Sequence, residues 1–529
     1  LRNFSYPGRS VSYGLNGAVA TSSLHASQVA LSILKKGGTA MDAAIAACAV
    51  QCVVDPMQTG IGGDCFAVIS PNGSAMLDGL NGSGRAPEAL SADRLLNDGI
   101  SEISLTSPHS VTTPGAIDAW TTLHEKYGSL DFADLMAPAI DCAENGFVVT
   151  QRTAVDWKNA EEKIQGNAAA TNLFLQGGQA PKAGTVWRLP KLAATLKAIA
   201  ENGRSAFYEG EIAEKMISTL NAAGALHSAT DFGNTAADYV DLISTSYQGY
   251  DVHQIPPNGQ GITALIMLNI LKGYDLGDLD PVGSQRLHLQ AEAARLAYLA
   301  RDIYVSDPGQ TDVPVEMLLS DEFTAHLRGH ITVGKAGDPT GANAFDKHKD
   351  TVYLCVVDKD GTAVSFINSV FHPFGSGIAC AETGVIFQNR GAGFVVDPKH
   401  PNCVAPNKRP MHTIIPGMVT KGNHVTHCYG VMGGGYQPVG HAHVLSNLMD
   451  YGMDVQEAID CPRAFYNAGV LELEEAVDPK VRAELVDMGY EVKTPAMPLG
   501  GGQMIMIDHE NGVLVAGSEP RKDGVALTY

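Results

Sequence analysis

Thr351 stands in the stretch HKDTVYLCVVDKDGTAVSFINS, residues 348–369, after a charged segment and directly before two apolar runs joined by Asp358-Lys359-Asp360-Gly361. On strand propensity alone it is an ordinary β-branched residue at the start of a strand. A cut before it would change its chemistry, because the side-chain hydroxyl and a new α-amine would then belong to one residue. An amine with a pKa near ~8 can take the hydroxyl proton at neutral pH, so nucleophile and base would need no separate histidine. The β-methyl would also limit χ1 and hold Oγ1 in one orientation.

Acyl transfer to such a hydroxyl needs donors for the oxyanion. YGVMGGGYQPVG, residues 429–440, offers a strand that runs into Gly433-Gly434-Gly435. Glycines let backbone N–H groups approach a substrate and converge. A tight turn between strand and helix explains the same residues. TGIGGDCF, residues 59–66, carries the same two readings.

The elements that must hold these residues follow from periodicity. Residues 25–52 predict a helix, a break at Gly37-Gly38, and an Ala-rich helix that is apolar almost all round and therefore buried. Strands are expected from TGIGGDCFAVIS and SAMLDGL around the turn Pro71-Asn72-Gly73. Helical spacing marks 115–126, 134–145, 190–202, 209–223 and 284–302, so the middle reads as mainly helical. From 351 onward strands dominate: a hairpin over 352–369, runs at 384–388 and 412–419, and a pair near 503–517. Strands at both ends with helices between predict a single α+β sandwich whose sheets draw on distant parts of the chain.

Composition narrows the function. The chain has 529 residues, 45% hydrophobic and 18% charged, which is enough for a large core. Its 57 acidic against 36 basic residues give a formal charge of −21, which disfavours nucleic acid and anionic lipid as partners. A well-placed Arg can still bind an anion at short range. The nine cysteines are scattered, with no metal-ligand spacing; reduced thiols, a cytoplasmic location, and neither metal nor cofactor are expected. A periplasmic location is the alternative, since the sequence opens Leu-Arg-Asn-Phe without a Met. No run reaches the roughly 18 apolar residues of a membrane span.

Eight segments in order resemble the γ-glutamyltranspeptidase family of N-terminal-nucleophile hydrolases: KKGGTAMDAAIAACAV (35–50), VVDPMQTGIGGDCFAV (53–68), SVTTPGAIDAW (110–120), PPNGQGITAL (256–265), DTVYLCVVDKDGTAVSFINS (350–369), FGSGI (374–378), NKRPMHTIIP (407–416) and VMGGGYQP (431–438). The resemblance implies a four-layer αββα sandwich and a self-processing zymogen cut between Asp350 and Thr351. Residues 1–350 would be a large helix-rich fragment with outer strands, and 351–529 a small fragment starting at the nucleophile. The two would form one intertwined domain, a heterodimer open to further oligomerisation. Thr351 would be the nucleophile, Ser369 the supporting hydroxyl, and Gly434 and Gly435 the oxyanion glycines.

Substrate recognition departs from the family pattern. Arg85 lies directly beside Ala86-Pro87, while Ser83 takes the usual anchor position; the family's acid for an α-ammonium falls on Gly393, its paired serines on His412 and Thr413, and an Asn on Phe371. Arg85, Arg390, His412, Thr413 and Tyr436, with Gln437 beside them, are the candidate substrate-binding residues. Arg85 is the first choice for a carboxylate and Arg390 its rival. The expected activity is hydrolysis of a small carboxylate-bearing amide through an acyl-enzyme, similar to the oxamate amidohydrolase-like and glutaryl-acylase branches. A γ-glutamyl hydrolase or transferase and a catalytically silent binding protein are the alternatives.

Overall fold

The structure, a computed structural model, describes Ser5 and residues 8–338 and 351–529. Two seven-stranded antiparallel sheets stack face to face. The first runs Val525–Thr528, Ala18–Thr21, Val352–Val357, Ala363–Ser369, Asp64–Ser70, Asp78–Gly82, Asp238–Val240. The second runs Ser12–Gly14, Val513–Ser518, Gly501–Asp508, His424–Met432, Gly417–Lys421, Tyr250–Gln254, Ile243–Tyr247. Residues on both sides of position 351 supply strands to both sheets.

Period-two alternation explains the layering. Tyr353, Cys355 and Val357 point into the core between the sheets with Phe66, Ile367, Met418 and Met432. Val352, Leu354 and Val356 point the other way, into a core shared with the first helical layer. A strand covered on both faces needs apolar residues at every position, which is why VYLCVV shows no polar alternation. The second sheet is covered likewise by helices Gly261–Leu271, Ser284–Tyr304 and Gln437–Met449. The result is the αββα sandwich.

Local chemistry fixes the hairpin that begins beside Thr351. Asp358 Oδ1 accepts the N–H groups of Asp360 and Thr362, both at 3.0 Å, and Gly361 takes φ +82° to close the turn. Asp358 Oδ2 accepts the Ala40 N–H at 2.9 Å, at the N-terminus of helix Ala40–Val54. That helix is buried at every residue, and Thr39 with Asp42 forms a capping box at its start. Turn and buried helix are thus tied together.

Several elements differ from the sequence reading. Residues 238–254 form three strands where a mainly helical middle was expected; Gln248 and Gly249, at φ +49° and +79°, make the two-residue turn between two of them. The strand expected over SAMLDGL starts only at Asp78, since Gly73 at φ +70° and the exposed Met76 precede it. Residues 384–388 contribute a single bridge, Ile386 to Ala379, and in 412–419 the strand proper begins at Gly417. All nine cysteines are free thiols. No described helix is long and apolar enough to cross a membrane.

The sheets pack closely at Gly430, where an added Cβ would lie 2.4 Å from the Tyr353 ring. Gly430→Ala is therefore expected to cost about 1–3 kcal/mol of stability. A urea unfolding midpoint equal to that of the parent would show that the sheets can part there.

Candidate active site

Three adjacent strands end together. In the register of the hairpin Val352 faces Asn368, which sets Thr351 opposite Ser369, and Ser369 pairs in turn with Asp64 on the next strand. Thr351 Oγ1 and Ser369 Oγ are 3.1 Å apart, and both residues are buried. Ser369 Oγ also accepts the Phe371 N–H at 2.9 Å. Thr351 N donates to Gln58 Oε1 at 3.3 Å. Asp350, on the other side of the expected cut, lies outside the described residues.

The TGIGG turn owes its glycines to this corner. A Cβ on Gly63 would sit 2.2 Å from the Ser369 carbonyl oxygen, so only glycine lets the turn pass the end of that strand. Asp64, next in sequence, is fully buried. Its Oδ1 accepts Gly84 N, Gly115 N and Gln388 Nε2 at 3.0, 3.1 and 2.8 Å, and its Oδ2 lies 3.0 Å from His412 Nε2.

Arg390 brings a charge to the hydroxyl pair. It is fully buried; Nη1 donates to Thr413 Oγ1 at 2.7 Å and Nη2 to Ser369 Oγ at 3.4 Å. The guanidinium carbon lies 4.1 Å from the centroid of the Phe371 ring. Phe371 holds φ +79°, a conformation bulky residues rarely adopt and one that brings its ring onto the guanidinium. Among the described residues no carboxylate forms an ion pair with Arg390, and its Nε has no hydrogen-bond partner. Burial pulls its pKa down to about 9, with the charge of Asp64 opposing, so it stays cationic at neutral pH.

The glycine loop belongs to the same hydrogen-bonded chain. Gln260 Nε2 donates to the carbonyls of Thr413 and Gly434 at 2.8 and 3.0 Å, and Arg301 Nη1 holds Gln260 Oε1 at 2.9 Å. Tyr298 donates to the Gly435 carbonyl. Gly433 and Gly434 take φ +132° and +54° in the turn that leads into helix Gln437–Met449. With both carbonyls tied back, the N–H groups of Gly434 and Gly435 have no acceptor among the described residues.

The structure thus brings Thr351, Ser369, Arg390, His412, Thr413, Gly434 and Gly435 into one cluster. Arg85 is elsewhere in character: 40% exposed, it pairs with Asp238 and Asp307 at 3.6 Å each and donates to the Asn407 carbonyl. Its charge is already matched. Tyr436 lies in the outer helical layer against Phe465, Gly440 and Gly500. Gln437 accepts the Ile415 N–H at 3.0 Å. Gln58, Asp64, Gln260 and Gln388 were not legible as site residues; the one available signal was an acid opening the apolar run DCFAVIS.

Two stacked antiparallel sheets between helical layers are the fold of the N-terminal-nucleophile hydrolases. A profile of the gamma-glutamyltranspeptidase family matches residues 26–529. The glutathione hydrolase-like YwrD proenzyme of Bacillus subtilis is 36% identical over 95% of this chain and 96% of its own. The oxamate amidohydrolase proenzyme of Klebsiella pneumoniae is 33% identical over 95% and 97%. The crystal structure of cephalosporin acylase from Bacillus halodurans superimposes with a TM-score of 0.92 at 39% identity, covering 100% of this chain and 99% of that one. The chain belongs to the gamma-glutamyltranspeptidase family and is an amidohydrolase of the N-terminal-nucleophile class.

His412 gives this cluster a pH signature. Burial and then the Arg390 charge hold its pKa down at about 3, against the pull of Asp64. Its folded pKa lies below the unfolded one, so the stability it contributes is complete above about pH 6.5 and is lost as pH falls toward 3. Between pH 6 and 4 the unfolding free energy of the parent is expected to fall faster than that of His412→Gln, by about 1.4 kcal/mol per pH unit. Parallel slopes in urea titrations would show that His412 protonates in the folded protein.

Proposed function

We propose that the chain is a self-processing threonine amidohydrolase acting on a short acyl amide that carries a carboxylate. Thr351 Oγ1 attacks the Asp350 carbonyl during maturation, and water opens the resulting ester to leave two fragments that stay together as a heterodimer. In turnover the Thr351 amine takes the hydroxyl proton, the hydroxyl attacks the substrate carbonyl, and the protonated amine returns a proton to the departing nitrogen. Ser369 steadies the attacking oxygen, and the N–H groups of Gly434 and Gly435 stabilise the oxyanion. Water then hydrolyses the acyl-enzyme.

The observation that carries this reading is the buried, unmatched guanidinium of Arg390 beside Ser369. A charge taken out of water without a counter-ion is costly, and a substrate carboxylate would offset that cost at the distance where an acyl-enzyme forms. The name of the Klebsiella relative, oxamate amidohydrolase, fits a carboxylate bound there. A γ-glutamyl α-ammonium lacks a partner: Gly393 replaces the family's acid, and Asp64 already engages four protein donors. A cavity of about 700 Å³ bordered by Pro373, Lys163, Met497 and Gly500 provides an exit for the released amine. Gly500 reaches the oxyanion loop, for a Cβ on Gly433 would lie 3.0 Å from its Cα.

Thr351→Ala should yield one full-length chain without hydrolytic activity; mass spectra showing fragments cut before residue 351 would end the proposal. In processed enzyme, Arg390→Gln should raise KM for oxamate or a glutaryl amide by roughly 10- to 150-fold, the equivalent of one charge-assisted contact, while Arg85→Ala changes it less than threefold. The reverse ranking would move the anchor to Arg85. Efficient turnover of a γ-glutamyl anilide, accelerated by a dipeptide, would instead favour a transferase. Gly434→Val should lose on the order of 10²–10³ in turnover while remaining folded.

A further inference from the structure

Behind Thr351 lies a polar cluster to which the reaction described above assigns no part. Gln58 has both ends of its carboxamide engaged: Oε1 accepts from Thr351 N, and Nε2 donates to Asp156 Oδ2 at 2.9 Å. Asp156 in turn accepts Arg152 Nε at 2.8 and 2.9 Å through its two oxygens, and Lys522 Nζ lies 3.4 Å from Oδ2. Asp156 and Lys522 are largely buried and, with Arg152, form part of the wall of the cavity of about 700 Å³ described above. In the uncut chain the donor to Gln58 is the Thr351 peptide N–H. Cleavage would convert that same nitrogen into the amine.

We propose that Asp156 is a positioning residue for the nucleophile: it fixes Gln58 so that its oxygen faces the Thr351 amine, and with Lys522 and Arg152 it sets the proton affinity of that amine. The inference rests on the threonine mechanism of the preceding section. A carboxamide bonded at only one end can turn over and present N–H₂ to the amine, which would repel its protons; a carboxylate at the far end forbids that orientation. The charges act from the cavity wall across Gln58, a path screened less than bulk water. Asp156 favours the ammonium form, and Lys522 and Arg152 oppose it.

The charged groups around this corner come from several elements. Helix Gln151–Asn159 supplies Arg152 and Asp156. The C-terminal segment supplies Lys522 and Asp523, whose Oδ2 accepts the N–H groups of Arg152 and Thr153 at 2.8 and 3.2 Å. Asp55, at the end of helix Ala40–Val54, accepts Thr153 Oγ1 at 2.9 Å, and burial lifts its pKa to about 7. Arg390 faces the nucleophile from the opposite side through Ser369.

The test is the pH dependence of kcat/KM for a glutaryl amide with processed enzyme. Asp156→Asn keeps an acceptor for Gln58 but removes the negative charge, so the acid limb should move down by ~0.5–1 pH unit with kcat at the optimum nearly kept. Lys522→Met should move the limb up by a similar amount. Asp156→Ala, which frees Gln58, should lose tenfold or more in kcat with KM unchanged, and Asp156→Asn should restore most of it. Asp55→Asn serves as the control for the second carboxyl titrating in this range, and the opposed shifts should persist in that background. If both charge variants keep the parent's acid limb, or if both move it in the same direction, the proposal is overturned. Those outcomes leave the threonine mechanism standing, because that mechanism fails only if Thr351→Ala still cleaves or hydrolyses.

Discussion

A guanidinium held in the interior with no carboxylate paired to it among the described residues is the constraint around which this site is arranged. Arg390 can stay charged there only because its surroundings supply partial compensation: hydroxyl oxygens from Thr413 and Ser369, the π-face of Phe371, and the field of Asp64 behind His412. Each of those groups is held by something else. Phe371 accepts an unfavourable backbone conformation to reach the guanidinium, and Asp64 is locked by two backbone N–H groups and two side chains. The carboxylate of the proposed substrate would complete this set of partners.

The same cluster sets the protonation of His412. Burial and a neighbouring cation both disfavour imidazolium, so the ring is held neutral against Asp64.

How far the sequence carried depended on the range of the signal. The hairpin was legible because its turn chemistry is local, and the nearly all-apolar helix over Ala40–Val54 announced its own burial. Ser369 came from the family pattern rather than from the hairpin: a four-residue turn over Asp358–Gly361 would set Thr351 opposite Asn368, and it is Thr362, a fifth turn residue, that shifts the pairing to Ser369. The three strands within 238–254 were missed because short segments such as ISTSY lack a long period. Arg85 and Arg390 could not be ranked from their neighbours in sequence. What separates them is distant: Asp238 and Asp307 pair with Arg85, and among the described residues no carboxylate pairs with Arg390. Gln58 and Asp156 gave no warning either, being 98 residues apart and joined only by one hydrogen bond.

The interleaving of strands has a consequence for the lifetime of a cut molecule. Val352–Val357 lies between Ala18–Thr21 on one side and the Ala363–Ser369/Asp64–Ser70 pair on the other, so neither fragment owns a complete sheet. Severing the chain before residue 351 would therefore release no piece able to stand alone, and the two polypeptides would melt as one. Reassembly from the melted state would be a second-order search between partners that each expose unpaired strand edges, a competition that aggregation wins as concentration rises. Maturation in such an architecture is a one-way door: the uncut chain can refold by itself, whereas the active form must last on the barrier to its first unfolding.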